Sequence, residues 1–237
     1  RKKVESNMDM YQKRKKRQEM KNNENKEKIQ SQMNINWYPG HMAKTKRQII
    51  EDLKLVDLVV EVLDARIPIS SQNPDIQEYI KNKNKIEVLN KADLADDTQT
   101  ANWVKYFEKN NIPAVITDSN SGKGIREVIK KIHTVSAETK EKSAQKGRAG
   151  RSIRVLVLGI PNVGKSSFIN RISKKTSAKV GNKPGVTRQK QWIRVDEGIE
   201  LMDTPGVLWP KLGSEEVATN LAFTGTIKDD ILEKTEI

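Results

Sequence analysis

The 237-residue chain contains no cysteine. That excludes a disulfide framework, a thiolate metal site and a cysteine nucleophile, and it fits a reducing cytoplasm. No uninterrupted apolar run approaches the roughly 18 residues of a membrane-spanning helix. The N-terminus is basic but has no apolar signal core, so it does not read as a secretory signal. Acidic residues are in deficit: 31 Asp+Glu stand against 44 Lys+Arg, a net charge of +13. What is left is a soluble basic protein, long enough to bury a sizeable core, whose default partner is nucleic acid.

The excess charge is uneven. Residues 1–32 hold 11 Lys+Arg and 5 Asp+Glu, including the run Lys13-Arg14-Lys15-Lys16-Arg17. With few apolar residues, this stretch reads as a solvated basic arm, either a plain flexible extension or an RNA-binding one. A second basic stretch, Ser136 to Ser152, holds five Lys+Arg, two Glu and two glycines, and reads as an exposed helix end followed by a linker.

Elsewhere short β-branched runs alternate with amphipathic segments. Strands are expected at Asp57–Leu63, Ile86–Leu89, Ala114–Thr117, Ile153–Leu158, Gln191–Val195 and Ile199–Met202. The last two flank Asp196-Glu197-Gly198, a hairpin turn, so one of them should be antiparallel. Helices are expected at Thr45–Leu53, Asp75–Lys81, Thr98–Lys109, Gly124–Ala137, Lys165–Lys174 and Glu215–Ala222. The order predicts an α/β fold: a doubly wound, mostly parallel six-stranded sheet.

Gly159-Ile-Pro-Asn-Val-Gly164-Lys165-Ser166 fits the G-x-x-x-x-G-K-[ST] phosphate loop, between an apolar strand and a helix-like segment. Such a loop turns successive backbone N–H groups toward phosphates, and the helix N-terminus adds positive potential. Asn162, Val163, Gly164, Lys165, Ser166 and Ser167 are assigned to the phosphates. Lys165 would reach the β- and γ-phosphates, and Ser166 would ligate Mg²⁺.

Asn90-Lys91-Ala92-Asp93 directly follows the strand Ile86–Leu89. An Asp at that strand end can accept two hydrogen bonds from the guanine N1–H and 2-amino group, donors that adenine lacks. An unpaired buried carboxylate is costly, and sites built on substrate hydrogen bonds discriminate by roughly 10⁴–10⁵. Asp93 therefore points to GTP, with Asn90 bracing the loop and the Lys91 stem covering the ring. Asp118-Ser119-Asn120 follows the next strand, where backbone N–H groups would face the guanine O6. Asp203-Thr204-Pro205-Gly206 ends the strand Ile199–Met202. Asp203 is placed to hold Mg²⁺ through water, and the Gly206 N–H to meet the γ-phosphate. Thr187, in a Lys- and Gly-rich loop, supplies a second hydroxyl for Mg²⁺.

The order is base motif, base-edge loop, phosphate loop, threonine, then D-T-P-G. In Ras-like GTPases the phosphate loop comes first, so here the order is rotated. With Trp37-Tyr-Pro-Gly-His41-Met-Ala-Lys44 upstream and Asp64-Ala-Arg66-Ile-Pro68 after the first strand, the chain resembles the circularly permuted GTPases. It is closest to the bacterial branch that assembles the large ribosomal subunit. The resemblance runs from Met33 to the C-terminus. It implies an extension at 1–32, a permuted GTPase domain at 33–213, and at 214–237 the start of a C-terminal helical RNA-binding domain whose remainder is absent. Val207 stands where many GTPases carry a water-positioning Gln, and an apolar side chain cannot orient water. The resemblance assigns that task to His41, and to Asn162 a K⁺ ion beside the phosphates. His133, in a Lys-rich helix, reads as structural or solvated. Lacking an evident arginine finger, the protein should be slow alone and faster with a ribosomal partner. A cytoplasmic monomer that binds GTP, ribosomal RNA and a large-subunit precursor is expected. A nucleotide-gated RNA-binding scaffold and a permuted GTPase of the small subunit are the alternatives.

Overall fold

The computed structural model describes residues 40–147, 150–177, 192–196, 198–209 and 214–227, with the backbone alone for 40–43 and 174–177. The basic arm at 1–32 and Thr187 lie outside the described residues. In chain order the elements are α1 (Gly40–Leu53), β1 (Leu58–Asp64), α2 (Pro74–Ile80), β2 (Asn84–Asn90), α3 (Asp97–Lys109) and β3 (Ala114–Ile116). Then come α4 (Ile125–Val135), α5 (Ala137–Gln145), β4 (Ile153–Leu158), α6 (Lys165–Ser177), β5 (Trp192–Asp196), β6 (Ile199–Asp203) and α7 (Glu215–Phe223).

The six strands form one sheet in the order β3-β2-β1-β4-β6-β5. All neighbours run parallel except β5 and β6, which pair antiparallel through the expected hairpin. The fold is the expected doubly wound α/β sheet. β1 is buried along its whole length, as a strand covered on both faces must be. One face packs Val60, Val62, Val155, Val157 and Leu201 against Ile125 and Ile132 of α4 and Phe168 and Ile172 of α6. The other packs Val59, Leu156 and Met202 against Ile49 of α1 and Ile80 of α2. Phe107 of α3 closes over Leu63 and Leu89. Each fully buried side chain of this kind contributes about 1.5–3 kcal/mol.

Local signals set the helix starts. Asn73 caps α2 by accepting from the Asp75 N–H at 3.0 Å, with Pro74 at the first turn. Asp96 caps α3 by accepting from the Gln99 N–H at 2.8 Å. The helix expected over Gly124–Ala137 stops sooner. At Ser136 the backbone N–H turns to Ile132 and Thr134 carbonyls, and a separate helix, α5, runs on from Ala137. The last helix also goes further inward than its sequence suggests: Leu221 and Ala222, with Ile227 just beyond it, join the main core cluster.

Connections diverge between two neighbouring strands. The chain leaves β1 toward β2 and leaves β4 toward β6. A crevice opens at the carboxyl ends of such strands. Asp64, Asn90, the loop after Leu158, and Asp203 all stand on that edge.

Candidate nucleotide site

The phosphate loop leaves β4 at Gly159 and enters α6 at Lys165. Gly164 has φ +87, and a Cβ there would stand 2.4 Å from Asn90 Nδ2, so both conformation and space call for glycine. Val163 is buried in the main core, which fixes the loop from below, while Ser166 and Ser167 are exposed at the start of the helix. Asn162 sits in the left-handed region at φ 63, a cost Asn bears better than most residues.

Asn90 ties the parts together. Its Nδ2 donates to the Val163 carbonyl at 3.0 Å. Its Oδ1 accepts from Ser119 Oγ at 2.7 Å, from the Ser119 N–H at 3.2 Å and from Thr117 Oγ1 at 3.2 Å. One buried amide thus joins the base motif to the phosphate loop and the base-edge loop. Lys91 follows at φ 59, and Asp93 is exposed on the short 3₁₀ turn Ala92–Leu94.

The base-edge loop is held from within the protein. The N–H groups of Ser119, Asn120, Ser121, Gly122 and Lys123 are each bonded inside the protein, to Asn90, Asp118 and Ser121. Asp118 is the spine of this loop: it accepts from the Asn120 N–H at 2.8 Å and the Ser121 N–H at 3.2 Å. Hydrogen bonding by Ser121 outweighs burial and holds its carboxyl below the usual range. Arg171 of α6 props the loop by donating to the Ser119 carbonyl at 2.9 Å. Nothing in the spacing of the sequence singles out Arg171.

On the other side of the phosphate loop, Lys165 is buried and its Nζ is hydrogen-bonded to Asp203 Oδ1. Asp203 lies opposite Val157 in the register of β4 and β6. Thr204 Oγ1 donates to the Val157 carbonyl at 2.7 Å and locks the D-T-P-G turn to β4. A Cβ on Gly206 would stand 2.9 Å from Pro161 N, so only glycine lets this turn back onto the phosphate loop. Val207, Leu208 and Trp209 then turn into the core. Asn73 donates to the Val207 carbonyl at 2.8 Å.

The structure thus brings Asn90, Lys91, Asp118, Ser119, Asn120, Asn162, Val163, Gly164, Lys165, Ser166, Ser167, Asp203 and Gly206 to one edge of the sheet. Thr187 lies outside the described residues. So does the side chain of His41, whose backbone belongs to α1. A cleft of about 490 Å³, lined by Lys140, Arg151, Ile153 and Gly198 among others, lies at the opposite end of the strands and holds none of these residues. His133, near it, is bonded to Asp196 at 3.0 Å and to Lys140 at 3.1 Å, a structural role.

Residues 154–233 match the family described as 50S ribosome-binding GTPase. The chain is 48% identical over 205 residues to a ribosome biogenesis GTPase A of Bacillus licheniformis, covering 86% of this chain and 72% of that protein. It is 36% identical over 203 residues to that of Thermotoga maritima, covering 86% and 70%. Among solved structures it resembles GNP-bound YlqF from T. maritima, with a TM-score of 0.59 and 32% identity over 81% of this chain and 72% of that one.

Proposed function

The chain belongs to the ribosome biogenesis GTPase A family of circularly permuted GTPases, and from that premise we propose that it assembles the large ribosomal subunit. It is a GTP hydrolase. In this reading it docks on ribosomal RNA of a precursor particle with GTP bound, in the cytoplasm, and leaves after hydrolysis. The relatives' names support the ribosomal part. The observation that carries the nucleotide part is the Asn90 bridge, which holds the base motif at a fixed distance from the phosphate loop. Among the described residues no helix is long and apolar enough to cross a membrane.

Phosphoryl transfer asks a protein for positioning and charge more than for covalent chemistry. The backbone of residues 162–167 cradles the phosphates, and Lys165 exchanges Asp203 for phosphate oxygens when GTP arrives. The donors suit Mg²⁺: a Ser166 hydroxyl is a hard oxygen ligand, the Asp203 carboxylate would hold the ion through a bound water, and this ion commonly takes one or two protein oxygens beside phosphate and water. Thr187 is the proposed further hydroxyl. Bound Mg²⁺ neutralises charge on the β- and γ-phosphate oxygens. Asn162 has its Nδ2 committed to the Gly225 carbonyl at 2.7 Å, so its amide oxygen is the atom to offer K⁺. Asp93 reads the guanine edge and Lys91 covers the ring. Val207 is buried and apolar and cannot orient the attacking water; the family resemblance assigns that task to His41.

Single-turnover GTP hydrolysis, with and without precursor particles of each subunit, tests this reading. Large-subunit particles should raise the rate. His41→Ala should abolish that rise, a loss of about 10²–10⁴-fold for a positioned acid-base group, while GTP affinity holds. A rise with small-subunit particles alone would overturn it.

A further inference from the structure

Asp64 takes no part in the chemistry above, yet it occupies the centre of the crevice. It is the last residue of β1, beside β4, where the connections diverge. Its side chain is fully buried, a placement that is costly for a carboxylate unless it is paired. Two cations pair it. Arg66 grips it with both prongs, Nε to Oδ1 at 2.8 Å and Nη2 to Oδ2 at 2.7 Å. Lys91 Nζ lies 3.1 Å from Oδ2. Burial pushes the carboxyl up, but hydrogen bonds from Arg66 and the charge of Lys91 prevail and hold it below the usual range.

Lys91 is therefore fixed at both ends. Its backbone is held in the left-handed region, where a long side chain rarely sits unless its surroundings impose it. Its tip is held by Asp64. Between them its stem runs past Gly164: a Cβ there would stand 3.9 Å from Lys91 Cε. A free lysine gives up rotamer freedom worth about a tenfold factor in affinity when it is ordered against a ligand. Lys91 has already been ordered.

We propose that Asp64 is a positioning residue of the base site: it sets the Lys91 stem in place for the purine, and Arg66 keeps the Asp64 carboxylate aligned to do so. Arg66 also feels the charge of Asp93, so base reader and clamp share one electrostatic cluster. The proposal rests on the reading of residues 90–93 as the base motif. Preorganisation of this kind acts on binding and leaves the chemical step alone.

The test is a double-mutant cycle on the full chain, with Asp64→Asn, Lys91→Met and the pair, read by the Kd of a fluorescent GTP analogue and by KM and kcat. Asp64→Asn should raise Kd and KM about tenfold, with kcat at saturating GTP within about twofold, and should add nothing in the Lys91→Met background. A full tenfold loss on top of Lys91→Met, or a fall in kcat with KM unchanged, overturns the proposal while the base reading stands. No loss of affinity in Lys91→Met overturns both. Should Asp64→Asn alone fail to fold, the paired variant removes one of the two orphaned cations. Its Kd against that of Lys91→Met decides the question: equal values support the clamp, and a further tenfold loss refutes it.

Discussion

Two carboxylates on β1, three residues apart, titrate in opposite directions. Asp64 is held anionic by its two cations, as described. Glu61 faces Glu87 across the parallel pair of β1 and β2, with both side chains buried. Burial, then the charge of Glu87, pushes the Glu61 carboxyl well above its usual range. Glu87 is also raised by burial, against the pull of Lys85, whose Nζ lies 2.9 Å from Oε1. Glu87 Oε2 is buried without a hydrogen-bond partner, and a proton kept on Glu61 opposite it would supply a donor. Glu61 is therefore the protonated member, with Gln77 donating to its Oε2 at 2.6 Å. The sign follows from proton binding. The folded state holds a proton on Glu61 that the unfolded chain releases near pH 4.3. The stability this contributes is complete below that pH and is lost as pH rises through the folded pKa. Asp64 works the other way, losing its contribution as pH falls below about 3.9. Glu61→Gln mimics the protonated form, so its Tm should exceed that of the parent by a margin that widens from pH 5 upward and then levels off. A constant or narrowing margin across pH 5–8 would refute the shared proton.

At the scale of elements, α5 stands apart. None of its residues is buried, whereas α4 before it buries Ile125, Val128 and Ile132. Its i,i+4 pair, Glu138 with Lys142 at 3.6 Å, is exposed and worth a few tenths of a kcal/mol. The Lys140 side chain, bonded to His133, ties it to α4. Helices stabilised so little from outside open readily, so the amides of Ala137–Gln145 should exchange at least about tenfold faster than those of Ile125–Val135. Equal protection, measured by hydrogen exchange, would mean that α5 is packed in solution. The same contrast explains what was legible in the sequence. The six strands are legible to within about two residues at their ends because β-branched runs and turn residues are local signals. The break at Ser136 is not, because Ala, Glu and Lys beyond it favour helix as well as the residues before it. At the site, contiguous motifs such as 159–166 and 90–93 announce themselves. The Asp64 clamp does not, because it exists only once β1 and β2 lie side by side and place Asp64 opposite Asn90. For the same reason the amide partners of the base-edge loop, Asn90 and Asp118, are not legible in the sequence: they are set by the fold.

On the scale of the whole molecule, the open matter is where the GTPase body ends. Motif reading sets the boundary after residue 213, a few residues beyond the D-T-P-G motif at 203–206. Packing argues for a later one. Leu221 is fully buried, and with Ala222 and Ile227 it shares one cluster with Ile160 and Val163 of the phosphate loop. Polar contacts follow the same path: Asn162 Nδ2 to the Gly225 carbonyl at 2.7 Å, and Asn220 Nδ2 to Ser70 Oγ at 3.0 Å. A segment attached through the phosphate loop should melt with it. Leu221→Ala removes a buried leucine from that shared cluster, a change that costs about 3 kcal/mol. In a cooperative unit of this size that lowers Tm by roughly 6–12 °C in a single transition. Phe223, 83% exposed on the same helix, serves as the control, and Phe223→Ala should shift Tm by no more than a degree or two. Were 214–227 a separate unit, Leu221→Ala would leave the main calorimetric transition in place and move only a small early one. A single lowered transition instead assigns α7 to the GTPase body. It would then link whatever follows Ile227 to the loop that holds the phosphates.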